Sequence, residues 1–98
     1  MKYYLCKFIP PRPDFLATLS TDEKDLLKQH GVYMNELLAK GIIVAHGPVI
    51  DDAGSYGVSL YQLDDELDVA ALTSQDPIVK NGVGHYEHFV MLSLTARL

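Results

Sequence analysis

Strand-like and helix-like segments follow one another in the order β-α-β-β-α-β, and this order constrains the fold more than any other feature of the sequence. The first strand is predicted at residues 2–9 (KYYLCKFI), where aromatic and β-branched residues end at two prolines. Further strands are predicted at 42–49, 57–63 and about 86–94, with helices at 21–40 and about 64–75. The 98 residues suit one domain, 1–98. The order predicts a ferredoxin-like α+β fold, with a four-stranded antiparallel sheet and two helices on one of its faces.

The first helix carries the clearest local signals. Ser20 followed by Glu23 is a capping-box pattern at its start, and Gly41 is a natural residue at its end. At about 100° per residue, one arc of this helix is apolar apart from a histidine. The arc holds Leu26, Leu27, His30, Tyr33, Met34, Leu37 and Leu38. We therefore expect this arc to lie against the sheet.

Apolar residues occur on both faces of the predicted strands. In the first strand, Tyr4, Cys6 and Phe8 alternate with Tyr3, Leu5 and Ile9. In the last strand, Tyr86, Val90, Leu92 and Leu94 alternate with Phe89 and Met91. Two helices cover only one face, and a bare second face would expose a large apolar patch. A homodimer, in which a second copy covers that face, is therefore predicted.

Charge and hydropathy exclude several classes of partner. The net charge is −5 and the basic residues are scattered, which argues against nucleic acid and against anionic lipid surfaces. No stretch approaches the roughly 20 apolar residues of a membrane span. Lys7 and three prolines interrupt the N-terminal segment, so it is not expected to be a signal peptide. The expected location is the cytoplasm, and the lone Cys6 is expected to be a core thiol.

His30 and Asp76 are the candidate catalytic residues. An imidazole within an apolar arc must find a hydrogen-bond partner, and it can also act as an acid or base near neutral pH. Asp76 precedes Pro77, which favours extended geometry at Asp76 and would aim its carboxylate. A satisfied core histidine and a helix-ending turn are the structural alternatives. From the residues alone, both interpretations stay open.

Other polar residues have weaker signals. Arg12, between Pro11 and Pro13, is suited to bind a substrate carboxylate, although a solvated loop arginine also fits the pattern. Tyr33 lies three residues from His30, and core packing explains it as well. His46, His85, His88 and Glu87 form no recognised metal-ligand spacing, because strand residues three apart face opposite sides. No metal is predicted.

An ordered set of motifs resembles the YCII-related family, within the dimeric α/β-barrel superfamily. The set comprises Arg12-x-x-Phe15, His30, Gly41, Gly47-Pro48-Val49, Asp52-x-Gly54-x-x-Gly57, Asp76-Pro77 and Gly82-x-Gly84. The resemblance implies a protomer whose sheet pairs face to face with its twin. It also implies a cleft that brings His30 and Asp76 together. Residues predicted to bind a substrate there are Arg12, Phe15, Tyr33, Gly47 and Pro48.

Two main functions are compatible with these residues, besides an oxygen-using or metal-dependent enzyme. The first is an enzyme that transfers protons on a small organic acid or an aromatic breakdown product, as an isomerase, lyase or dehydrohalogenase. His30 would be the base or acid, Asp76 would orient it, and that chemistry needs no cofactor. The alternative is a non-catalytic dimer that binds a small molecule or serves an accessory role.

Overall fold

The computed structural model describes residues 1–97 and confirms the ferredoxin-like α+β fold. The predicted domain runs to Leu98, which lies outside the described residues. The strands pair antiparallel in the order β2-β3-β1-β4. In chain order the elements are β1 (Lys2–Ile9), a 3₁₀ turn (Phe15–Ala17), α1 (Thr21–Ala39), β2 (Ile43–Val49), β3 (Tyr56–Leu63), α2 (Val69–Ser74), α3 (Pro77–Lys80) and β4 (His85–Met91).

Helix α1 begins and ends where its capping residues predict. The Ser20 hydroxyl accepts from the Glu23 amide, and the Glu23 carboxylate accepts from the Ser20 amide. At the other end, Gly41 has a φ of +75° and the amide of Ile42 donates to Leu37 O, the pattern of a Schellman motif. One prediction was wrong: Leu38 is 41% exposed, at the margin of the apolar arc. No helix within residues 1–97 is long and apolar enough to cross a membrane.

The second helical region differs from its prediction. Helix α2 begins at Val69 rather than near residue 64, because Asp68 has extended geometry and its carboxylate caps the amide of Ala71. The acidic residues before it form a turn instead, closed by a bond from the Leu67 amide to Asp64 O. The predicted end near Ser74 is confirmed. A further short helix, α3, follows directly at Pro77.

Strand β4 is shorter than predicted and ends at Met91 rather than at Leu94. Met91 pairs with Tyr3, one residue from the start of β1. Beyond that point β1 offers almost no partner for the ladder, so the chain leaves the sheet and Leu92 is fully exposed. Pairing with β1 therefore sets the length of β4.

All the helices pack on one face of the sheet. Strand residues on that face are buried with residues of the helices, in a core that includes Cys6, Phe8, Phe15, Met34, Leu37, Ile43, Tyr61, Leu63 and Ile78. Burial raises the pKa of the Cys6 thiol to about 12, as expected for a core thiol. The opposite face carries partly exposed apolar residues, namely Tyr3, Leu5, Ile9, Val58, Leu60, Phe89 and Met91. We call this surface the open face.

Strand β2 contains a β-bulge that the sequence did not reveal. Ile43 pairs with Tyr61 and Ala45 pairs with Leu60, so two residue steps in β2 match one in β3. The extra residue, Val44, reverses the alternation of side chains. Both Ile43 and His46 consequently face the helices, although three positions separate them.

Gly84, in the turn before β4, is required by close packing as well as by its backbone conformation. A Cβ atom there would lie 2.5 Å from Phe8 Cζ and 2.6 Å from Ile9 O, whereas one at Gly82 would meet nothing within 4 Å. Both glycines have nearly the same positive φ, +74° and +75°. Gly82 is therefore a matched control, because a side chain there has the same backbone strain without the close contacts.

We expect Gly84→Ala to lower the free energy of unfolding by at least about 1 kcal/mol more than Gly82→Ala. Both variants incur a strain of about 1–2 kcal/mol from the positive φ, but only Gly84→Ala adds overpacking, which typically costs about 1–3 kcal/mol. Urea denaturation of the two variants and the wild type measures the difference. Equal destabilisation would contradict the packing contribution.

Candidate active site

His30 and Asp76 are in contact, although 46 positions separate them in the chain. The Nδ1 atom of His30 lies 2.6 Å from Asp76 Oδ2. Asp76 is fully buried, whereas 19% of the His30 side chain is exposed. The imidazole therefore stands between the buried carboxylate and the surface. The structure places the two predicted catalytic residues together, as the sequence alone could not.

The start of α3 fixes the carboxylate of Asp76. Pro77 is the first residue of this helix, and Asp76 before it has the extended ψ of 125° that a following proline favours. As the N-cap residue, Asp76 accepts a bond from the Ile78 amide through Oδ1, at 3.2 Å. The sequence interpretation of Asp76 as a helix-ending turn was therefore incomplete. This residue follows α2 and also caps the next helix, which packs against α1.

Tyr86 is the third partner of Asp76, a role that the sequence did not reveal. Its hydroxyl donates to Asp76 Oδ2 at 2.6 Å, and its ring packs edge-on against Phe8 with centroids 5.4 Å apart. Burial and the negative charge of Asp76 raise the pKa of Tyr86, so the hydroxyl keeps its proton and remains a donor. Its predicted place on the same strand face as Val90 gave no signal that distinguished it from an ordinary core tyrosine.

These contacts determine how His30 is presented. Asp76 already accepts bonds from Tyr86 and Ile78, and an ionised carboxylate can only accept, so Nδ1 of His30 carries the hydrogen. Within residues 1–97, Nε2 of His30 has no hydrogen-bond partner. Phe8 supports the ring, with centroids 5.7 Å apart. A basic nitrogen is therefore available at the edge of a pocket.

The pocket beside His30 has a volume of about 310 Å³ and lies between α1 and the sheet. Its walls are mostly apolar, and the predicted binding residues Gly47 and Pro48 contribute to them. The polar side chains that line it are His30, His46, Ser55, Ser59, Tyr56 and Tyr86. Small, mainly apolar ligands are the class that such a cavity suits.

Arg12 and Phe15 do not line this pocket. The Arg12 guanidinium forms a two-pronged ion pair with Glu23, at 2.8 and 2.7 Å, and bonds Thr18 as well. This pairing lowers the pKa of Glu23 to about 2. Phe15 is 2% exposed and packs in the core beneath the guanidinium. The structure thus gives both residues roles in anchoring the loop after β1 to the start of α1.

Tyr33 also lies outside the pocket lining. Its hydroxyl donates to the carbonyl of Leu72 at 2.5 Å, which ties α1 to α2. Burial, followed by the charge of Asp76, raises the pKa of Tyr33. Packing in the core, the structural alternative considered for this residue, describes these contacts.

Three further histidines are distributed over the sheet. His46 lines the pocket, and its Nε2 atom lies 2.9 Å from Asn35 Oδ1. His85 and His88 face opposite sides of β4, as their spacing predicted, and His88 bonds the Thr73 hydroxyl at 2.8 Å. Among the described residues, no three His, Cys, Asp or Glu side chains are grouped closely enough to hold a metal ion.

Comparison with known families identifies the chain. A family model, the YCII-related domain, matches residues 1–92. The chain belongs to the YCII-related family. Comparison with curated protein sequences found no match. The matched residues of this YCII-related chain include every motif on which the resemblance was based.

A solved structure shares the fold of this YCII-related chain. It is the 5-chloro-2-hydroxyhydroquinone dehydrochlorinase from Burkholderia phenoliruptrix AC1100, in complex with 2,5-dihydroxybenzoquinone. The TM-score is 0.61 over 95% of each chain, and the sequence identity is 19%. At this identity, the likeness establishes the common architecture.

The bond from Tyr86 to the buried carboxylate should stabilise the fold more than the bond from Tyr33 to a backbone carbonyl. We expect Tyr86→Phe to cost about 1.5–3 kcal/mol, the range for bonds to charged groups, and Tyr33→Phe about 0.5–1.5 kcal/mol. Each change removes one hydroxyl and keeps the ring. Urea denaturation at pH 7 measures both losses of unfolding free energy. If the loss in Tyr86→Phe is equal to or smaller than the loss in Tyr33→Phe, Tyr86 does not support Asp76.

Proposed function

We propose that this YCII-related protein is an enzyme that transfers protons on a small molecule, with His30 as general base and acid. The observation that carries the proposal is the contact of 2.6 Å between His30 Nδ1 and the fully buried Asp76. Such a partner holds the imidazole in one orientation and stabilises the imidazolium that forms when Nε2 takes a proton. Tyr86 and the Ile78 amide keep Asp76 in place.

The chemistry follows from the free Nε2 atom. Nε2 accepts a proton from an acidic O–H or C–H group of the substrate, and the electron pair of that bond stays on the substrate as an enolate-type anion. Return of the proton to a second carbon completes an isomerisation. Departure of a halide with its bonding electrons completes an elimination instead, and the proton then leaves the imidazolium for water.

The pocket favours an aromatic breakdown product over a small organic acid. Among the residues described, its lining includes neither lysine nor arginine, and the charge of Arg12 is already paired with Glu23. A carboxylate would therefore lack a cationic partner and would lose hydration on entering apolar walls. A small hydroxylated ring avoids that cost. The dehydrochlorinase that shares the fold acts on such a ring, which supports this choice of substrate class.

We expect His30→Gln and Asp76→Asn to lower turnover by about 10²–10⁴-fold, the usual contribution of general acid–base catalysis. The assay is chloride release from 5-chloro-2-hydroxyhydroquinone, with circular dichroism to confirm folding. His85→Gln is the matched control, because His85 lies on the face of the sheet opposite to the pocket. Undiminished turnover in folded His30→Gln would contradict the proposal.

A non-catalytic binding protein is the second candidate, and the mainly apolar lining of the pocket favours it independently of any reaction. Proton NMR of the four histidines distinguishes the two functions. A binding protein would show a shift of the His30 signal with hydroquinone, which is uncharged at pH 7, but no release of chloride from the chlorinated substrate.

We also propose that a second copy of the chain covers the open face, as the two-faced strand pattern predicted. Leu5 lies on β1, one of the two central strands of this surface, where a charge would oppose association. We expect size-exclusion chromatography with light scattering to give twice the mass of one chain for the wild type and for Val90→Lys, but a single chain for Leu5→Lys. Val90 is the control because it is 81% exposed and faces the other side. A monomeric wild type would overturn the proposal.

A further inference from the structure

His46 enters the pocket because of the β-bulge in β2. Without the extra residue Val44, strict alternation from Ile43 would direct His46 to the open face. With the bulge, His46 pairs with Ser59 and lines the same pocket as His30. Bulges commonly re-aim a side chain near functional sites. Two imidazoles, one from α1 and one from β2, therefore line one cavity.

Asn35 determines which nitrogen of His46 the pocket can use. The amide oxygen of Asn35 lies 2.9 Å from Nε2 of His46, and an amide oxygen only accepts, so Nε2 carries the hydrogen. In the neutral ring, Nδ1 is then an acceptor, and it has no hydrogen-bond partner within residues 1–97. His46 can thus accept a bond from a ligand hydroxyl.

The surroundings of the two histidines differ in charge. His30 has the carboxylate of Asp76, whereas the groups that face His46 are the neutral Asn35 and the titratable His30 from α1, and the neutral Ser59 from β3. Burial, and secondly the proximity of His30, lower the pKa of His46. The two imidazoles therefore have different hydrogen-bond partners, a carboxylate for His30 and an amide for His46, and they can take different roles toward a ligand.

We infer that His46 is a specificity residue that accepts a hydrogen bond from a second hydroxyl of the ligand, while His30 serves the first. The ligand class is then a small ring with hydroxyl groups at two positions. This inference rests on the proposed function, because it concerns the same pocket, and it adds a requirement that His30 alone does not impose. Ligands with a single hydroxyl satisfy only one of the two imidazoles.

Hydroquinone and 4-methoxyphenol test this requirement, because the second lacks one hydroxyl donor and both are uncharged at pH 7. NMR titration of the wild type should give an affinity about 2–10-fold higher for hydroquinone, the worth of one neutral hydrogen bond. In His46→Phe the two probes should bind equally. In His85→Phe, the matched control, the wild-type ratio should persist.

Asn35→Asp tests the tautomer while keeping the imidazole. A carboxylate beside Nε2 would raise the pKa of His46, and the protonated ring would donate from Nδ1. A methoxy oxygen can accept that bond, so the ratio of the affinities for hydroquinone and 4-methoxyphenol should fall towards one. Asn81→Asp adds the same charge at the end of α3, where Asn81 is exposed, and should leave the ratio unchanged.

Several outcomes would overturn the inference. The wild type could bind both probes equally, or it could fail to bind hydroquinone at millimolar concentration. His46→Phe could also keep the wild-type ratio of the two affinities. These results are distinguishable from failure of the proposed function, which is measured by chloride release in His30→Gln. Suppose that His30→Gln no longer releases chloride, but His46→Phe keeps the wild-type ratio of affinities for the two probes. Catalysis by His30 would then be supported, and the role of His46 would be rejected.

Discussion

The carboxylate of Asp76 is fully buried, and a charge in that position is tolerated only when donors surround it. The donors come from three elements: the imidazole of His30 on α1, the amide of Ile78 on α3 and the hydroxyl of Tyr86 on β4. The bonds from His30 and Tyr86 therefore join α1 and β4 to the start of α3, and the same bonds hold the imidazole in place. The stability of the fold and the orientation of His30 therefore both depend on one buried carboxylate.

The apolar walls of the pocket follow from this arrangement. Because the helices all pack on one face, His30 lies where α1 meets the sheet, with Phe8 against its ring. The polar atoms left to a ligand are few and come from different elements. A site of this kind selects its ligand by where a ring places its hydroxyl groups, since it offers no fixed positive charge for an acid.

Local irregularities in the backbone position the site within a regular sheet. Gly84 allows the turn before β4 to approach Phe8 and Ile9, so that Tyr86 reaches Asp76. The bulge at Val44 turns His46 towards the helices. Neither device changes the order of the strands. The bulge moves His46 to the face where the pocket lies, whereas the glycine turn allows close packing next to Tyr86 on that same face.

The sequence by itself determined the order of the elements, the limits of α1 and the presence of a histidine within its apolar arc. These features depend on interactions between residues close in the chain, such as the Ser20–Glu23 capping box. Only the tertiary structure decided the partners across long separations. It joined Asp76 to His30, added Tyr86 and His46, and paired Arg12 with Glu23 away from the pocket. Such contacts depend on how helices and strands pack, and the local pattern of residues does not specify that.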